Sequence, residues 1–361
     1  MKKNISMLLC LLLVMGLFSG CQSQSIDNGD KIVLNVYNWG QYISDGSDDC
    51  LDVIAAFEEA YPNITVNYST FDSNEVMYTK LASGGITVDV IIPSDYMIAR
   101  MIEENMLLEL DFSNIPNYQY IDDSFKNTVY DPENKYSVPY AWGSVGIVYN
   151  SKYVDEADLV GWELLWNAKY ADKILMYDNS RDAFGIAQLM LGYSINTTDE
   201  AQLRECADLL AQQKPYVQQY VMDQIFDLMQ NEEAWIAPCY AGDFVTMAEE
   251  NENLAFYRPE SGFNLFIDAM CIPNCAQEKE AAELFINFLC EPEIAAGNME
   301  WICYSTPLKR EAVEEFLGAE ILDDPIAYPS DEEIARGTSF NYLPARVSRL
   351  MESLFLKARI S

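Results

Sequence analysis

Residues 31–40 read KIVLNVYNWG, an almost unbroken apolar run that ends at Trp39-Gly40. A run of this kind predicts a β-strand whose two faces are both covered. Apolar residues then recur at helical spacing at Val53, Phe57 and Tyr61. The alternation continues with a strand at 63–70, a helix at 73–82, a strand at 88–92 and a helix at 95–106. Because strands and helices alternate, the sequence predicts an α/β fold in which a mostly parallel sheet is flanked by helices.

The same alternation restarts after a loop-like stretch at 113–134. Strands are predicted at 136–140, 143–149, 174–177, 235–238 and 263–272, and helices at 161–166, 184–192, 203–210, 220–230 and around 281–288. A chain of 361 residues is longer than one hydrophobic core usually serves. We therefore expect two α/β lobes.

The chain carries 57 acidic and 22 basic side chains, a formal charge of -35, and no histidine. The lack of histidine excludes Ser-His-Asp and Cys-His nucleophiles and every metal site that uses an imidazole ligand. Phosphate binding needs clustered Lys and Arg, so nucleic acid is not an expected partner. The sequence contains no metal-binding or cofactor-binding motif. Solubility accounts for most of the negative charge, and a cationic ligand is the natural complement of the rest.

The N-terminus has the pattern of an export signal. Two lysines precede an apolar run at 7–18, which is short for a bilayer span, and small residues and Cys21 follow it. Residues 1–20 are therefore predicted to be a signal peptide. The segment before Cys21 resembles the bacterial lipobox, although Phe18 stands where Leu is usual, and this resemblance implies lipidation of Cys21. Residues 21–30 would then tether the exported protein to the outer face of the cell membrane.

Aromatic and polar side chains recur after or within the predicted strands, where open α/β sheets bind their ligands. They are Trp39, Tyr42, Ser94, Asp95, Tyr96, Asp178, Asn179, Arg181, Asp182, Tyr240, Asp243, Phe266 and Asp268, with Tyr304 before a Ser-Thr-Pro turn. Any one of them could equally be a packed core aromatic or a helix cap, and Asp95 in particular could be a cap. Their combination predicts a ligand site.

Six stretches of the chain resemble one protein family, in the same order along the chain. They are Tyr37-Asn38-Trp39, YSTFDSNEVMY at 68–78 with Lys80-Leu81, IIPS at 91–94, YSVPYAWG at 136–143, LGYSINTTD at 191–199 and INFL at 286–289. Over residues 32–358 the chain resembles the spermidine/putrescine-binding proteins of polyamine ABC transporters. The resemblance implies a two-lobed periplasmic-binding-protein fold with the ligand cleft at its hinge. Lobe 1 would comprise 31–140 plus 266–306, and lobe 2 would comprise 141–265 plus 307–361.

The resemblance also assigns ligand contacts residue by residue. They are Trp39, Tyr42, Ser94, Tyr96, Asn179, Asp182, Tyr240, Phe266, Asp268 and Tyr304, of which Tyr240 and Phe266 stand where the spermidine-specific member has Trp. The chain departs from the family pattern with Gly40 for Thr, Gln41 for Glu, Asn179 for Asp and Phe340 for Gln. Because fewer carboxylates suit a ligand with fewer nitrogens, these departures predict that putrescine is accommodated alongside spermidine. The preferred amine stays open.

The predicted function is capture of a polyamine without catalysis. Carboxylates suit ammonium groups and aromatic faces suit the methylenes between them. The receptor would be a monomer, anchored through Cys21, that uses no cofactor or metal and delivers its ligand to an ABC transporter permease. Two alternatives remain, which are a binding protein for an amino acid, sugar or iron chelate, and a surface hydrolase that uses carboxylates. Contact of Asp95, Asp178 or Asp243 with the ligand is undecided.

Overall fold

A computed structural model describes residues 31–360 of the chain. Its strands are β1 (Ile32–Trp39), β2 (Ile64–Phe71), β3 (Val90–Ile91), β4 (Ser137–Asn150), β5 (Ile174–Tyr177), β6 (Val217–Val221), β7 (Ile236–Tyr240), β8 (Leu254–Tyr257), β9 (Phe263–Cys271) and β10 (Gly337–Thr338). Its helices are α1 (Val53–Ala60), α2 (Asn74–Ala82), α3 (Asp95–Glu103), α4 (Ser180–Met190), α5 (Glu200–Gln213), α6 (Ile225–Gln230), α7 (Ala241–Glu250), α8 (Lys279–Leu289), α9 (Pro292–Ile302), α10 (Arg310–Leu322), α11 (Asp331–Ile334) and α12 (Ala345–Ile360).

The strands form one connected sheet in the order β2-β1-β3-β9-β4-β7-β5-β6, with β10 beside β9 and β8 beside β4. β1 pairs in parallel with β2 and β3, and β5 pairs in parallel with β6 and β7. Between these two parallel groups, β9 and β4 run antiparallel to each other. The predicted α/β fold is therefore confirmed, with a parallel group of strands in each half and an antiparallel pair that joins them.

β4 is the strand that passes from one half of the sheet to the other. Its residues 137–144 pair with β9, and its residues 145–150 pair with β7 and β8. The prediction of two separate strands here is wrong, because the pairing with β9 continues through Ala141 and Trp142. Every residue of β4 except Trp142 is buried, so both faces of the strand are covered along its whole length.

Residues 220–230 also differ from the prediction of a single helix. Tyr220 belongs to β6, and α6 begins only at Ile225. Tyr220 pairs with Met176 of β5 at the edge of the sheet, and such pairing overrides a helical apolar pattern. Residues 222–224 are therefore a short connection between a strand and a helix.

Helices complete the core on the faces of the sheet. In the first half, Phe57 of α1 contacts Phe285 and Phe288 of α8, with ring centroids 5.0 and 5.4 Å apart. In the second half, α4, α5 and α12 pack against one another. The lobe boundaries at 140 and 265 stay predictions. No helix within residues 31–360 has both the length and the apolar character to cross a membrane, and the predicted signal peptide and Cys21 lie outside the described residues.

Candidate ligand-binding site

A cavity of about 750 Å³, including its open mouth, lies where the two halves of the sheet meet. All ten side chains that the sequence predicts as ligand contacts line it, namely Trp39, Tyr42, Ser94, Tyr96, Asn179, Asp182, Tyr240, Phe266, Asp268 and Tyr304. The lining also contains Gly40, Gln41, Asn74, Asp95, Met222, Asp223, Phe226, Asp243, Asn264 and Phe340. The structure thus brings the ten predicted residues together, and their contact with a ligand stays a prediction.

Strand ends and helix starts carry the lining residues into the cavity. Trp39 ends β1 and Tyr240 ends β7, while Ser94 precedes α3 and Asp182 lies in the first turn of α4. The carboxyl ends of parallel strands lie at one edge of a sheet, so residues distant in sequence meet there.

Asp268, on β9, is 5% exposed, and only one of its carboxylate oxygens has a partner. The Tyr42 hydroxyl donates to Oδ2 at 2.7 Å, whereas Oδ1 has no hydrogen-bond partner among the described residues. Burial raises the pKa of Asp268 to about 6. A buried carboxylate oxygen without a donor is unfavourable. The position therefore suits a ligand that brings a donor of its own.

Asp182 receives two hydrogen bonds on one carboxylate oxygen. The Tyr240 hydroxyl donates to Oδ2 at 2.9 Å, and the side-chain amide of Asn179 donates to the same atom. Asn179 also accepts from the backbone N–H of Asp182 at 3.0 Å and so caps α4. Burial raises the pKa of Asp182. Asn179 is thus both a helix cap and a lining residue.

Asp243 lies in the first turn of α7 and lines the cavity next to Tyr304. The Tyr304 hydroxyl donates to Oδ1 at 2.6 Å. Burial raises the pKa of Asp243 to about 7. A cation close to such a group favours its ionised form, so Asp243 and a cationic ligand would stabilise each other.

The three acids that the sequence leaves undecided have different positions. Asp95 and Asp243 line the cavity, whereas Asp178 does not, and it pairs instead with Arg359 of α12. Asp95 is 2% exposed, and its Oδ1 accepts from the backbone N–H of Tyr96 at 2.7 Å, while Oδ2 has no hydrogen-bond partner within residues 31–360. Asp95 is not the helix cap, because the cap residue of α3 is Ser94.

Aromatic rings form the walls of the cavity. Tyr42 and Tyr304 meet edge to face with their ring centroids 4.9 Å apart, and Phe266 lies 6.2 Å from Tyr304 and 5.4 Å from Tyr240. The indole Nε1 of Trp39 donates to a backbone carbonyl oxygen at 2.8 Å. Since that N–H group is already used, Trp39 offers the cavity an apolar ring.

The lining is acidic and includes no Lys or Arg among the described residues. Its five acids are Asp95, Asp182, Asp223, Asp243 and Asp268. Arg181, the neighbour of Asp182 in the sequence, has other partners. Its guanidinium lies 4.1 Å from the ring of Phe340 and donates to the backbone carbonyl oxygens of Ile195 and Asn341. Among the described residues none of the five carboxylates forms an ion pair, so the lining suits a cation.

Sequence reasoning misses five of the lining residues, Asn74, Met222, Asp223, Phe226 and Asn264. Three of them lie in or beside the connection at 222–224, which the sequence treats as the interior of a helix. Asn74 begins α2 inside the FDSNEV stretch that carries the family resemblance, so that stretch could have revealed it. No spacing or motif in β9 distinguishes Asn264 from its neighbours.

Two groups of parallel strands have a cavity between them that is walled by aromatic rings and lined by carboxylates, and this arrangement defines a solute-binding receptor. The chain belongs to the family of bacterial extracellular solute-binding proteins, whose family model matches residues 52–328. Membership of this family means that the chain is an exported, solute-binding protein. The two-lobed fold predicted from the sequence is confirmed.

Individual relatives confirm the resemblance predicted from the sequence. The spermidine/putrescine-binding periplasmic protein of Salmonella typhimurium is 32% identical over 309 residues, which cover 85% of this chain and 86% of the relative. The structure of the spermidine/putrescine ABC transporter substrate-binding protein PotD of Streptococcus pneumoniae is similar, with a TM-score of 0.74, 37% identity, and coverage of 91% of this chain and 99% of that one. The TpPotD lipoprotein of Treponema pallidum has a TM-score of 0.79 and 28% identity, with coverage of 91% and 100%.

Proposed function

We propose that this protein captures a linear polyamine, spermidine or putrescine, in the cavity and delivers it to the permease of an ABC transporter. One observation carries the proposal. Asp182, Asp243 and Asp268 line one aromatic-walled cavity whose described lining contains no Lys or Arg. Because charges buried without partners are unfavourable, a cationic ligand is what such a cavity would stabilise most.

A polyamine matches both features of the lining at once. Its ammonium groups can donate charge-assisted hydrogen bonds to the carboxylates. Its methylene segments can pack on the rings of Tyr240, Phe266 and Tyr304, and an ammonium near such a ring gains about 0.5–2 kcal/mol. An amino acid would bring its own carboxylate into a cavity without basic side chains, and a sugar would leave the acids uncompensated.

The relatives support the same class of ligand. The relative from Salmonella typhimurium is named for binding spermidine and putrescine, and the one from Streptococcus pneumoniae is named as the substrate-binding protein of a spermidine/putrescine ABC transporter. Delivery to a membrane permease follows for this chain if it acts as they do.

Capture would use contacts from both predicted lobes. Asp268 and Tyr42 belong to predicted lobe 1, and Asp182 and Tyr240 belong to predicted lobe 2. A ligand held by both lobes favours the closed arrangement, which a permease can distinguish from the open one. No bond in the ligand is made or broken, so the receptor is not an enzyme in this proposal. A hydrolase based on carboxylates would instead release a changed product.

The receptor is further proposed to be a monomer that is lipidated on Cys21 and held at the outer face of the cell membrane. The apolar run at 7–18 ahead of Cys21 supports export and processing. The relative from Treponema pallidum is named as a lipoprotein, which supports the anchor.

A melting assay with a panel of solutes tests the proposed function. The panel contains putrescine, cadaverine, spermidine and spermine, with glucose and glutamate as controls. A ligand at about 100 times its Kd stabilises the folded protein by about 2.7 kcal/mol, so we expect spermidine or putrescine to raise Tm and to be recovered unchanged. If no amine raises Tm, or if glutamate does so equally, the proposal is wrong.

Gly242 offers a test of the Tyr304–Asp243 contact. A methyl group on Gly242 would come within 2.2 Å of Cδ2 of the Tyr304 ring. Gly242→Ala should therefore displace this ring and its hydrogen bond to Asp243, although Ala favours a helix over Gly by about 1 kcal/mol. Loss of one hydrogen bond to a charged group predicts amine binding about tenfold weaker in a calorimetric titration.

Gly297→Ala is the matched control for Gly242→Ala, because it also adds a methyl group to a helix. The atom nearest to the new methyl group would be Cδ2 of Leu51, at 3.2 Å, and Gly297 does not line the cavity. This control should bind amines as the wild type does. If both variants lost the same amount of amine affinity, the loss in Gly242→Ala would not come from the Tyr304–Asp243 contact.

A further inference from the structure

Asp223 and Gly40 meet across the mouth of the cavity. Asp223 follows β6 in the second half of the molecule, and Gly40 follows β1 in the first half. A methyl group on Gly40 would come within 2.5 Å of Oδ2 of Asp223. The carboxylate of Asp223, in one half, therefore lies close to Gly40, in the other half, and both residues line the cavity.

In the part of the chain that the structure describes, the carboxylate of Asp223 has no basic partner. No Lys or Arg within residues 31–360 forms an ion pair with it. Asp72, an acid that follows β2, repels it instead. In addition to burial, the negative charge of Asp72 raises the pKa of Asp223. Asp223 is exposed, so it lies at the entrance of the cavity rather than in its interior. An ammonium group placed here would relieve the repulsion between Asp72 and Asp223.

Asp223 also extends a row of acids along the aromatic wall. In addition to burial, the negative charge of Asp182 raises the pKa of Asp268, whose carboxylate accepts a hydrogen bond from Tyr42. The ring of Tyr42 contacts the ring of Tyr304, whose hydroxyl donates a hydrogen bond to Asp243. In addition to burial, the negative charge of Asp223 raises the pKa of Asp243. The row thus runs from the buried Asp182 and Asp268 to the exposed Asp223. In the interior of the same cavity, Oδ1 of Asp268 has no hydrogen-bond partner among the described residues, so it can accept from a ligand.

We propose that Asp223 is a further amine-binding residue, which meets the outermost ammonium of a triamine and so favours spermidine over putrescine. This inference rests on the proposed function of the cavity. Gly40 allows the carboxylate this position, since a side chain there would come within 2.5 Å of Oδ2 of Asp223 and displace it. The sequence treats Gly40 as a lost polar contact and predicts fewer acids in the site. In the structure the lining also contains Asp223, which the sequence does not single out, and Asp243, which the sequence leaves undecided.

The test is a calorimetric titration of the purified protein and its variants with spermidine and with putrescine. For Asp223→Asn we expect spermidine to bind about tenfold more weakly, as for loss of one charge-assisted hydrogen bond, and putrescine to change by less than about twofold. Gly40→Ala should lower the spermidine-to-putrescine affinity ratio in the same way. In the Asp223→Asn background, Gly40→Ala should have no further effect, because both changes remove one contact.

Asp208→Asn is the matched control, since Asp208 is exposed on α5, does not line the cavity, and carries the same charge. It should leave the affinity ratio unchanged. An unaltered ratio in Asp223→Asn, or equal losses for both amines, would overturn the role of Asp223 while leaving the proposed function intact. If the wild type binds neither amine, the proposed function fails and this inference fails with it.

Discussion

Asp268→Asn is expected to weaken polyamine binding by about 100-fold to 5000-fold. The variant keeps the shape of the side chain but removes its charge, and a bound ammonium would then be buried without a counter-charge. Removing one partner of a buried ion pair costs about 3–5 kcal/mol, which corresponds to this range of Kd. Oδ1 of Asp268 has no hydrogen-bond partner among the described residues, so it is free to accept from the bound ammonium. Calorimetric titration of wild type and variant with spermidine measures the change.

Stability separates this effect from damage to the fold. Burial raises the pKa of Asp268, so its ionised form is unfavourable in the unliganded protein, and Asp268→Asn should melt at or above the wild-type Tm. Asp131→Asn should show the opposite pattern. Asp131 is also buried, but it accepts from the backbone N–H groups of Tyr136 and Ser137 at 2.9 and 3.0 Å and does not line the cavity. It should lower Tm and leave Kd unchanged. Wild-type affinity in a normally folded Asp268→Asn protein would contradict the assignment.

Polyamine affinity is expected to fall by up to about 1000-fold as the pH is lowered from 8 to 5. Burial raises the pKa of Asp243 to about 7 and that of Asp268 to about 6. At pH 8 both groups are mostly ionised. At pH 5 about 1 in 100 of the Asp243 carboxyl groups and about 1 in 10 of the Asp268 carboxyl groups are ionised. Alkyl ammonium groups stay protonated throughout this range. Titrations in matched buffers between pH 5 and pH 8 measure the slope.

The unliganded protein should respond to pH with the opposite sign. The pKa of each of these two carboxyl groups in the folded state lies above its ordinary value of 3.8. The folded state therefore holds the proton more tightly than the unfolded state does, and these groups add stability as the pH falls through their folded pKa values toward 4. Asp268→Asn should remove its share of that dependence. An affinity that is constant between pH 5 and pH 8 would show that neither carboxylate meets the ligand.

Much of the fold could be predicted because burial on both faces leaves a mark in the sequence. β1 is an almost unbroken apolar run and β5 is a continuous one, and the structure has strands in both places. The errors arise where pairing with distant residues decides the local structure. The pairing of Ala141 and Trp142 with β9 joins two predicted strands into β4. The pairing of Tyr220 with β5 turns the start of a predicted helix into a strand.

The site was predictable for a different reason. Trp39, Tyr240 and Asp268 lie after or within strands, where a parallel sheet gathers ligand contacts, and the family resemblance selected them from many equivalent acids and aromatics. The approach of Asp223 to Gly40 could not be predicted in this way. It depends on how two distant connections face each other across the cavity, and no local pattern in either one records it.

The most direct test of the central claim is a calorimetric titration of the purified wild-type protein with spermidine at pH 8. We predict saturable binding of one spermidine per chain, with putrescine competing for the same site. A folded protein that shows no saturable binding of spermidine or putrescine at concentrations up to about 1 mM, where even weak complexes form, would contradict it.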